Sequence, residues 1–217
     1  MPIPFVTNTL APLAIWVPVS TSVEFESISC HVRPARLADL PQVTDVLAAS
    51  FYPPLGWQRW LYPLFRLSIH EDLKQRLQAN YKHYQCLTAI APHHQDSRVV
   101  GTVELACRQP ELWRFNRPRQ VYLSNLAVQA GYRRQGVARQ LLKTAEQLSL
   151  DWGFRELYLH VMADNNRARL LYQNMGYQVH RIEPSLLSLL NLQPSRLLLK
   201  KFLPPGSGAK PAALDTP

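Results

Sequence analysis

Cysteine is scarce in this sequence, and its positions exclude several kinds of site. Only Cys30, Cys86 and Cys107 occur among 217 residues, and no C-x-x-C pair is present. A structural zinc knot and a thioredoxin-type redox site both need that spacing, and three distant cysteines do not make a disulfide scaffold. The sequence therefore predicts free thiols, no bound metal and a reducing location, which we take to be the cytoplasm.

Long apolar runs and a basic leader are missing as well. Residues 1–23 carry no charged side chain, but prolines interrupt them, and the longest proline-free apolar piece covers only residues 13–17. The stretch has neither the basic start of a secretory leader nor the arginines of an organelle transit peptide, and it is too short to span a membrane. We expect an irregular extension over residues 1–29, a disordered tail over residues 204–217 and no membrane partner.

Acidic residues are the other scarce class. The chain has 15 Asp and Glu against 24 Lys and Arg, a formal net charge of +9, which favours anionic partners. No signature of an RNA-recognition, KH or helix-turn-helix module accompanies this charge, so we expect no nucleic-acid partner. The length and the 47% hydrophobic content fit one globular domain, which we place at residues 30–203.

The order of the apolar patterns predicts an α/β fold, with one mixed sheet and helices on its faces. Four helices are expected. The first follows Asp39, a candidate N-cap with Gln42 three residues later. The others cover residues 58–84, with an interruption at Pro63, residues 136–153 and residues 165–176. Strands are expected over residues 31–35, 86–91, 99–107, 121–128, 156–162, 177–181 and 195–203.

The most informative segment is VYLSNLAVQAGYRRQGVARQLL, residues 121–142. A strand ends near Val128, and after a short turn an amphipathic helix begins with two small residues, Gly136 and Ala138. Free backbone N–H groups and the helix dipole at such a start favour an anion, and small side chains let a pyrophosphate approach the backbone. Neither G-x-G-x-x-G nor G-K-[ST] occurs, which excludes a dinucleotide fingerprint and a Walker loop. A basic, solvated helix start without a ligand is the alternative.

This segment resembles motif A of the GNAT acetyltransferase superfamily, [RQ]-x-x-G-x-[GA], with Arg133, Gly136 and Ala138 at the defined positions and Val128 five residues upstream. The earlier stretch VRPARLADLPQVTDVLAASF is similar to the family's first strand and helix, and ADNNRARLLYQNMGY resembles its motif B. The resemblance covers residues 30–203. The segment after motif B is most similar to the cyanobacterial and plastid branch.

The resemblance implies the GNAT fold: a central mixed, mostly antiparallel sheet with helices on both faces and a splayed pair of parallel strands that binds acetyl-CoA. Asn165 and Tyr172 would meet the pantetheine arm near the sulfur, and for Asn165 a simple helix N-cap is the alternative. The backbone groups that would pair with the arm belong to Leu126, Ala127 and Val128. The pyrophosphate would lie against the residues that open the helix, namely Arg133, Arg134, Gln135, Gly136, Val137, Ala138 and Arg139.

By the same resemblance, Tyr172 is the general acid for the departing thiolate, and a core aromatic residue is the alternative. The general base is open, because His160 and Tyr122 occupy the two positions where relatives carry a glutamate. His160 is either a base that works near neutral pH or a hydrogen-bonded structural histidine. Glu104 on the neighbouring strand either reaches the cleft as a base or faces solvent. A water relay without a single base is a further alternative.

The resemblance assigns the acceptor site to residues 51–65, which are aromatic and proline-rich, and to residues 181–193. Seven arginines against one acid from Arg108 to Arg139 would repel a polyamine. The likeness to the plastid branch favours transfer to a protein N-terminal α-amine or lysine ε-amine, by direct attack in a ternary complex. A small-amine acetyltransferase and a non-catalytic CoA-binding module are the alternatives.

Overall fold

A computed structural model describes residues 30–52, 56–79, 81–93, 96–108, 119–184 and 194–204. The expected extension over residues 1–29 and the tail from residue 205 onward lie outside these ranges. The strands are β1 (His31–Pro34), β2 (Tyr84–His93), β3 (Asp96–Arg108), β4 (Gln120–Val128), β5 (Glu156–Met162), β6 (Gln178–Glu183) and β7 (Arg196–Phe202). The helices are α1 (Leu40–Phe51), α2 (Tyr62–Gln78), α3 (Val137–Asp151) and α4 (Asn166–Asn174).

The strands form a seven-stranded sheet in the order β1-β2-β3-β4-β5-β7-β6. β4 and β5 run parallel, and the other neighbouring pairs are antiparallel. Parallel neighbours need a long crossover connection, which α3 provides here. The predicted mixed, mostly antiparallel sheet is confirmed.

Helices pack on both faces of the sheet, as predicted. On one face, α1 and α2 bury a cluster that contains Leu40, Val43, Leu47 and Leu73. On the other face, α3 and Tyr172 of α4 join a larger cluster with the apolar side chains of the central strands. The core residues of α3 recur about four positions apart, so they lie on one side of the helix: Val137, Leu141 and Ala145.

β5 divides its side chains between the two faces by strand alternation. Three of them enter the core on the α3 and α4 face: Leu157, Leu159 and Val161. Tyr158 and His160 lie on the opposite face, where both rings stack on Tyr122. The bounds predicted from ELYLHVM and the predicted orientation of His160 are therefore confirmed.

α1 begins differently from the expectation. Asp39 precedes the helix, but its carboxylate accepts hydrogen bonds from the Arg33 guanidinium at 2.6 and 2.9 Å and from the Arg36 backbone N–H at 2.7 Å. Gln42 accepts a hydrogen bond from the backbone N–H of Val99. Asp39 is therefore the N-cap residue of α1, as predicted, but its side chain makes no capping hydrogen bond, because Arg33 and Arg36 bind its carboxylate. The Arg33 hydrogen bond holds the pKa of Asp39 below its usual range.

The second helix is shorter than predicted. A 3-10 turn over Gly56–Trp60 comes first, and α2 then covers Tyr62–Gln78 rather than residues 58–84. Pro63 lies in the first turn, where its missing N–H has no intrahelical partner to lose, so it marks the start of α2 and not an interruption. No helix in the described ranges is long and apolar enough to cross a membrane.

The β2–β3 hairpin is longer than predicted. Its ladder runs from Tyr84 opposite Ala106 to His93 opposite Asp96, beyond the apolar runs at residues 86–91 and 99–107. Backbone pairing continues through polar residues because the ladder uses main-chain groups alone. The apolar pattern therefore located both strands and underestimated their length.

Candidate active site

β4 and β5 separate after three pairs of residues. The parallel ladder joins Val121 to Leu157, Tyr122 to Tyr158 and Leu123 to Leu159. β4 continues to Val128 and β5 to Met162, and no further pairing between them is present in the described part of the chain. The facing main-chain groups beyond Leu123 therefore lack a strand partner, and an extended ligand can supply one.

A β-bulge lies where the two strands separate. Thr102 of β3 faces Ala127, but Glu104 faces Ser124, so β4 has one residue more than β3 in this interval. Asn125 takes up the extra residue with a left-handed backbone, φ +54°. Bulges bend a strand and increase its twist. The bulge lies just past the point where the pairing of β4 with β5 ends.

The turn from β4 into α3 is fixed by its own side chains. Arg133 donates from Nε to the carbonyl oxygen of Val128 at 2.9 Å, and Gln135 donates from Nε2 to the carbonyl oxygen of Gly131 at 2.8 Å. Arg134 and Gly136 follow with φ of +66° and +83°. These contacts place the N-terminus of α3 directly after the open end of β4.

The start of α3 fits a pyrophosphate. Gly136 is the N-cap and offers no capping side chain, and a Cβ built there would meet no atom within 4 Å. The first N–H groups of the helix, including those of Val137 and Ala138, have no intrahelical acceptor. Val137 is buried, so it offers only its backbone, whereas Arg134 and Arg139 are exposed. Residues 120–143 contain no acidic side chain, which leaves the local potential positive.

α4 presents both predicted residues of motif B. Asn165 accepts a hydrogen bond from the Ala168 backbone N–H at 3.1 Å, so it caps α4. Tyr172 is 8% exposed and packs edge-on against Tyr177, with ring centroids 5.7 Å apart. Burial raises the pKa of Tyr172 to about 12, so the phenol keeps its proton across the neutral range.

His160 and Tyr122 lie together on the face opposite α3. Their ring centroids are 5.7 Å apart, which places the two positions considered for the general base side by side. The Nε2 of His160 lies 2.9 Å from Oε2 of Glu183 on β6. Arg181 also binds this carboxylate, and the hydrogen bonds from Arg181 and then His160 hold the pKa of Glu183 below its usual range. The imidazole therefore has an ionised partner at neutral pH.

Sequence reasoning missed Glu183. It stands 23 residues after His160 on a strand that β7 separates from β5. No local spacing links the two residues, because their approach depends on the strand order at the edge of the sheet. Only the strand registers bring the two together. His160 of β5 and Arg181 of β6, which also binds Glu183, both lie opposite Leu198 of β7.

Glu104 does not face solvent, since it is only 1% exposed. Its carboxylate accepts hydrogen bonds from Arg76, Tyr84 and Asn125. These partners belong to α2, β2 and β4, and they do not include His160 or Tyr172. The structure therefore places Glu104 beside the bulge of β4, apart from the His160 and Glu183 pair.

The expected acceptor segments are only partly described, since residues 53–55 and 185–193 lie outside the described ranges. Tyr52 stacks on Phe65, with ring centroids 4.6 Å apart, and links the end of α1 to α2. Several large apolar side chains of this region are exposed: Phe51, Tyr52, Trp60, Leu61, Leu64 and Leu67. A wall for an apolar group is therefore available on the α1 and α2 side.

The chain is similar to several plant and bacterial proteins. GCN5-related N-acetyltransferase 10, chloroplastic, of Arabidopsis thaliana is 29% identical over 172 residues, which span 75% of this chain and 67% of that protein. GCN5-related N-acetyltransferase 7, chloroplastic, of the same plant is 32% identical over 119 residues, 51% of this chain and 43% of the relative. A mycothiol acetyltransferase of Jonesia denitrificans is 32% identical over 160 residues, which cover 73% of this chain and 46% of the relative.

Solved structures share the fold. A PaiA N-acetyltransferase of Thermoplasma acidophilum in complex with coenzyme A matches with a TM-score of 0.61 and 21% identity, over 80% of this chain and 99% of that one. NAA60 of Arabidopsis thaliana, in complex with a bisubstrate analogue, matches with a TM-score of 0.56 and 22% identity, over 81% and 100% of the two chains. The predicted arrangement of sheet and helices is thus that of known N-acetyltransferases.

The expectation of a cytoplasmic location is wrong. It is contradicted by the plant relatives, several of which are chloroplastic proteins. The expectation depended on the free cysteines, which do not distinguish the cytoplasm from another reducing compartment.

The family model described as the acetyltransferase (GNAT) family matches residues 54–177, more than half of the chain. The match includes the open β4 and β5 pair, the start of α3 and all of α4. It confirms the resemblance and the enzyme class predicted from motifs A and B, and the chloroplastic relatives agree with the plastid branch. The chain therefore belongs to the GNAT family of acetyltransferases.

Proposed function

We propose that this chain transfers the acetyl group of acetyl-CoA to a primary amine of a protein or peptide, either an N-terminal α-amine or a lysine ε-amine. The observation that carries the proposal is the open end of β4, which leads directly into the uncapped, basic start of α3. When bound, acetyl-CoA supplies an activated acetyl thioester. Solved structures of the same fold contain coenzyme A or acetyl-CoA.

Two elements of the chain, the end of β4 and the start of α3, would hold different parts of the cofactor. Leu126, Ala127 and Val128 lie beyond the last pair that joins β4 to β5 in the described residues, and main-chain groups of this segment would hold the pantetheine arm. N–H groups from Arg134 to Arg139 and the exposed arginines would hold the pyrophosphate. Asn165 uses its side-chain oxygen to cap α4, so its amide N–H₂ is the group left for the arm.

His160 is the proposed acceptor of the amine proton. The pKa of a lysine ε-amine is about 10 and that of an N-terminal α-amine is about 8, so at neutral pH a base must remove a proton before attack. The ring of Tyr122 stacks against the imidazole, and the ionised Glu183 both orients the imidazole and stabilises the imidazolium that forms. Glu104 makes its hydrogen bonds elsewhere, so we assign the base to His160.

Tyr172 is the proposed proton donor to the departing sulfur. Its phenol is buried beside Tyr177 and keeps its proton because burial raises the pKa of Tyr172 to about 12. Over one turnover, the ammonium first gives one proton to His160 and the amine nitrogen then forms a bond to the carbonyl carbon. As the carbon–sulfur bond breaks, the phenol proton passes to sulfur and the second nitrogen proton passes to solvent. Exchange with solvent then restores both residues.

A peptide acceptor is favoured by the exposed aromatic and aliphatic side chains between α1 and α2, which suit the side chain that follows a peptide amine. NAA60, solved with a bisubstrate analogue, and a ribosomal-protein-alanine N-acetyltransferase of Brucella melitensis share the fold. The chloroplastic relatives favour the plastid as the place of action. A small-amine acceptor is the second candidate, supported by the similarity to the mycothiol acetyltransferase.

The proposal is tested by measuring CoA release from acetyl-CoA with a matched panel of acceptors. The panel contains peptides with a free N-terminus and no lysine, peptides with a blocked N-terminus and one lysine, and small amines that include an amino thiol sugar. We expect release with at least one peptide class. Release with small amines alone would replace the peptide acceptor by the second candidate, and no release with any acceptor would refute the activity.

A further inference from the structure

A buried carboxylate connects three elements beside the cleft. Glu104 accepts from Asn125 Nδ2 of β4 at 2.7 Å on Oε1, and from Arg76 Nη1 of α2 at 2.6 Å and the Tyr84 hydroxyl of β2 at 3.0 Å on Oε2. A carboxylate that is 1% exposed is stable only with such partners. Burial and the nearby Glu104 raise the pKa of Tyr84, so its hydroxyl remains a donor.

Asn125 needs this support. Its backbone has φ +54°, a region that a non-glycine residue enters at a cost, although asparagine tolerates it better than most residues. The hydrogen bond from its amide to a charged oxygen offsets the cost, because charge-assisted hydrogen bonds are the stronger kind. Glu104 thus stabilises the left-handed residue that forms the bulge.

The bulge determines which groups of β4 meet the cleft. Side chains alternate along a strand, so loss of one extra residue would exchange the faces of all residues that follow it. Ala127, which is 5% exposed and packs under α1 and α2, follows the bulge by two residues. A β4 without the bulge would therefore turn this side chain from the α1 and α2 cluster to the opposite face of the sheet and move the main-chain groups of Leu126 and Val128.

We propose that Glu104 is a positioning residue for the acetyl thioester: by holding Asn125 in the bulge, it fixes the main-chain groups of residues 126–128 that receive the pantetheine arm. The inference rests on the proposed function, since it assigns a role in holding the same cofactor. Arg76 anchors Glu104 from α2 and also pairs with Asp72 at 2.6 Å. The network therefore joins the helix on the acceptor side to the strand that holds the acyl donor.

The test compares the affinities of two ligands, acetyl-CoA and 3′-phospho-ADP, which have the same nucleotide end. Acetyl-CoA contains the pantetheine arm, whereas 3′-phospho-ADP contains only the nucleotide and the pyrophosphate that the start of α3 would hold. Dissociation constants of both are measured by calorimetry on the full chain and on two variants. Asn125→Gly removes the amide and allows the left-handed backbone without strain, so the fold is kept. Glu104→Gln removes the charge and, with its amide oxygen accepting from Arg76 and Tyr84, presents a donor in place of the acceptor to the Asn125 amide.

We expect both variants to bind acetyl-CoA about tenfold more weakly, because the main-chain groups that receive the arm are less well preorganised, with 3′-phospho-ADP affinity changed less than about twofold. Asp39→Asn is the matched control, because it removes the charge of a buried carboxylate that binds Arg33 and Arg36 instead of Asn125. It should lower the melting temperature and leave the ratio of the two affinities unchanged.

Two results would overturn the inference. If Asn125→Gly weakens neither ligand, or weakens both equally, the network does not position the pantetheine arm, and the proposed function remains intact. If the unmodified chain binds neither ligand, the proposed function fails and the inference fails with it. Measuring the unmodified chain first therefore distinguishes the two failures.

Discussion

The imidazole Nε2 of His160 lies 2.9 Å from Oε2 of Glu183, although β7 separates their strands in the sheet. The carboxylate is ionised at neutral pH, because the contact with Arg181 and the contact with His160 hold the pKa of Glu183 below its usual range. A fixed anion beside an imidazole favours its protonated form. In the proposed reaction, His160 and Glu183 therefore act as one unit when the amine loses its proton.

Replacing Glu183 by Gln tests this unit. The variant loses the anion and keeps a hydrogen-bonding side chain, so we expect the acid limb of the kcat/KM profile to move to lower pH by about one unit. Glu156→Gln is the matched control, because Glu156 is a carboxylate that contacts Tyr158 and Lys200 instead of His160. Equal shifts in the two variants, or no shift in either, would remove His160 as the base.

Tyr172→Phe tests the proton donor. Phe keeps the ring that packs against Tyr177, so the affinity for acetyl-CoA should change less than about twofold, while kcat falls about 100-fold, a typical contribution of general acid catalysis. Steady-state kinetics together with calorimetry on the same preparations measures both quantities. Equal losses of kcat and affinity would identify Tyr172 as a packing residue only.

Tyr172 also predicts a pH dependence of stability. Burial raises the folded-state pKa of Tyr172 from 10.0 to about 12. The contribution of its phenol to the free energy of unfolding is therefore complete below about pH 10 and is lost as the pH rises towards about 12. By about pH 11 the free energy of unfolding of the original chain should fall by about 1 kcal/mol relative to that of Tyr172→Phe, which has no phenol to ionise. Denaturant unfolding at several alkaline pH values measures the difference. Tyr81→Phe is the control, because it removes a hydroxyl at a tyrosine that is 58% exposed.

Gly136→Ala tests the start of α3. The left-handed φ of +83° makes any side chain there strained by about 1 kcal/mol, and the added methyl would occupy the open space where a phosphate approaches. Gly153→Ala is closely matched, with φ +84° and equally open surroundings at the other end of α3. Thermal unfolding should show similar destabilisation in both variants, whereas calorimetry should show weaker acetyl-CoA binding only in Gly136→Ala. Weakened binding in both variants would assign the effect to backbone strain.

Local patterns explain what the sequence could predict. The alternation of ELYLHVM places His160 opposite the core residues of β5, and the small residues after Val128 mark the start of α3. Both features depend on neighbours within one element, so their spacing is visible in the sequence. The same holds for Asn165 as the cap of α4, which the structure shows directly.

Contacts between distant elements explain what the sequence could not predict. Gln42 of α1 accepts a hydrogen bond from the Val99 backbone N–H of β3, and Glu183 reaches His160 from beyond β7. The bulge at Asn125 is held by a carboxylate of β3 that is itself paired with Arg76 of α2. Each of these depends on the order and register of strands, which the residue pattern of a single segment does not encode.

The most direct test of the account is mass spectrometry of a peptide after incubation with the purified chain and acetyl-CoA. We predict a mass gain of about 42 Da, the acetyl group for one hydrogen, located by fragmentation at an α-amine or a lysine ε-amine, and strongly reduced when Tyr172→Phe or His160→Ala replaces the original chain. Peptides that remain unmodified, while a small amine is acetylated under the same conditions, would contradict the account.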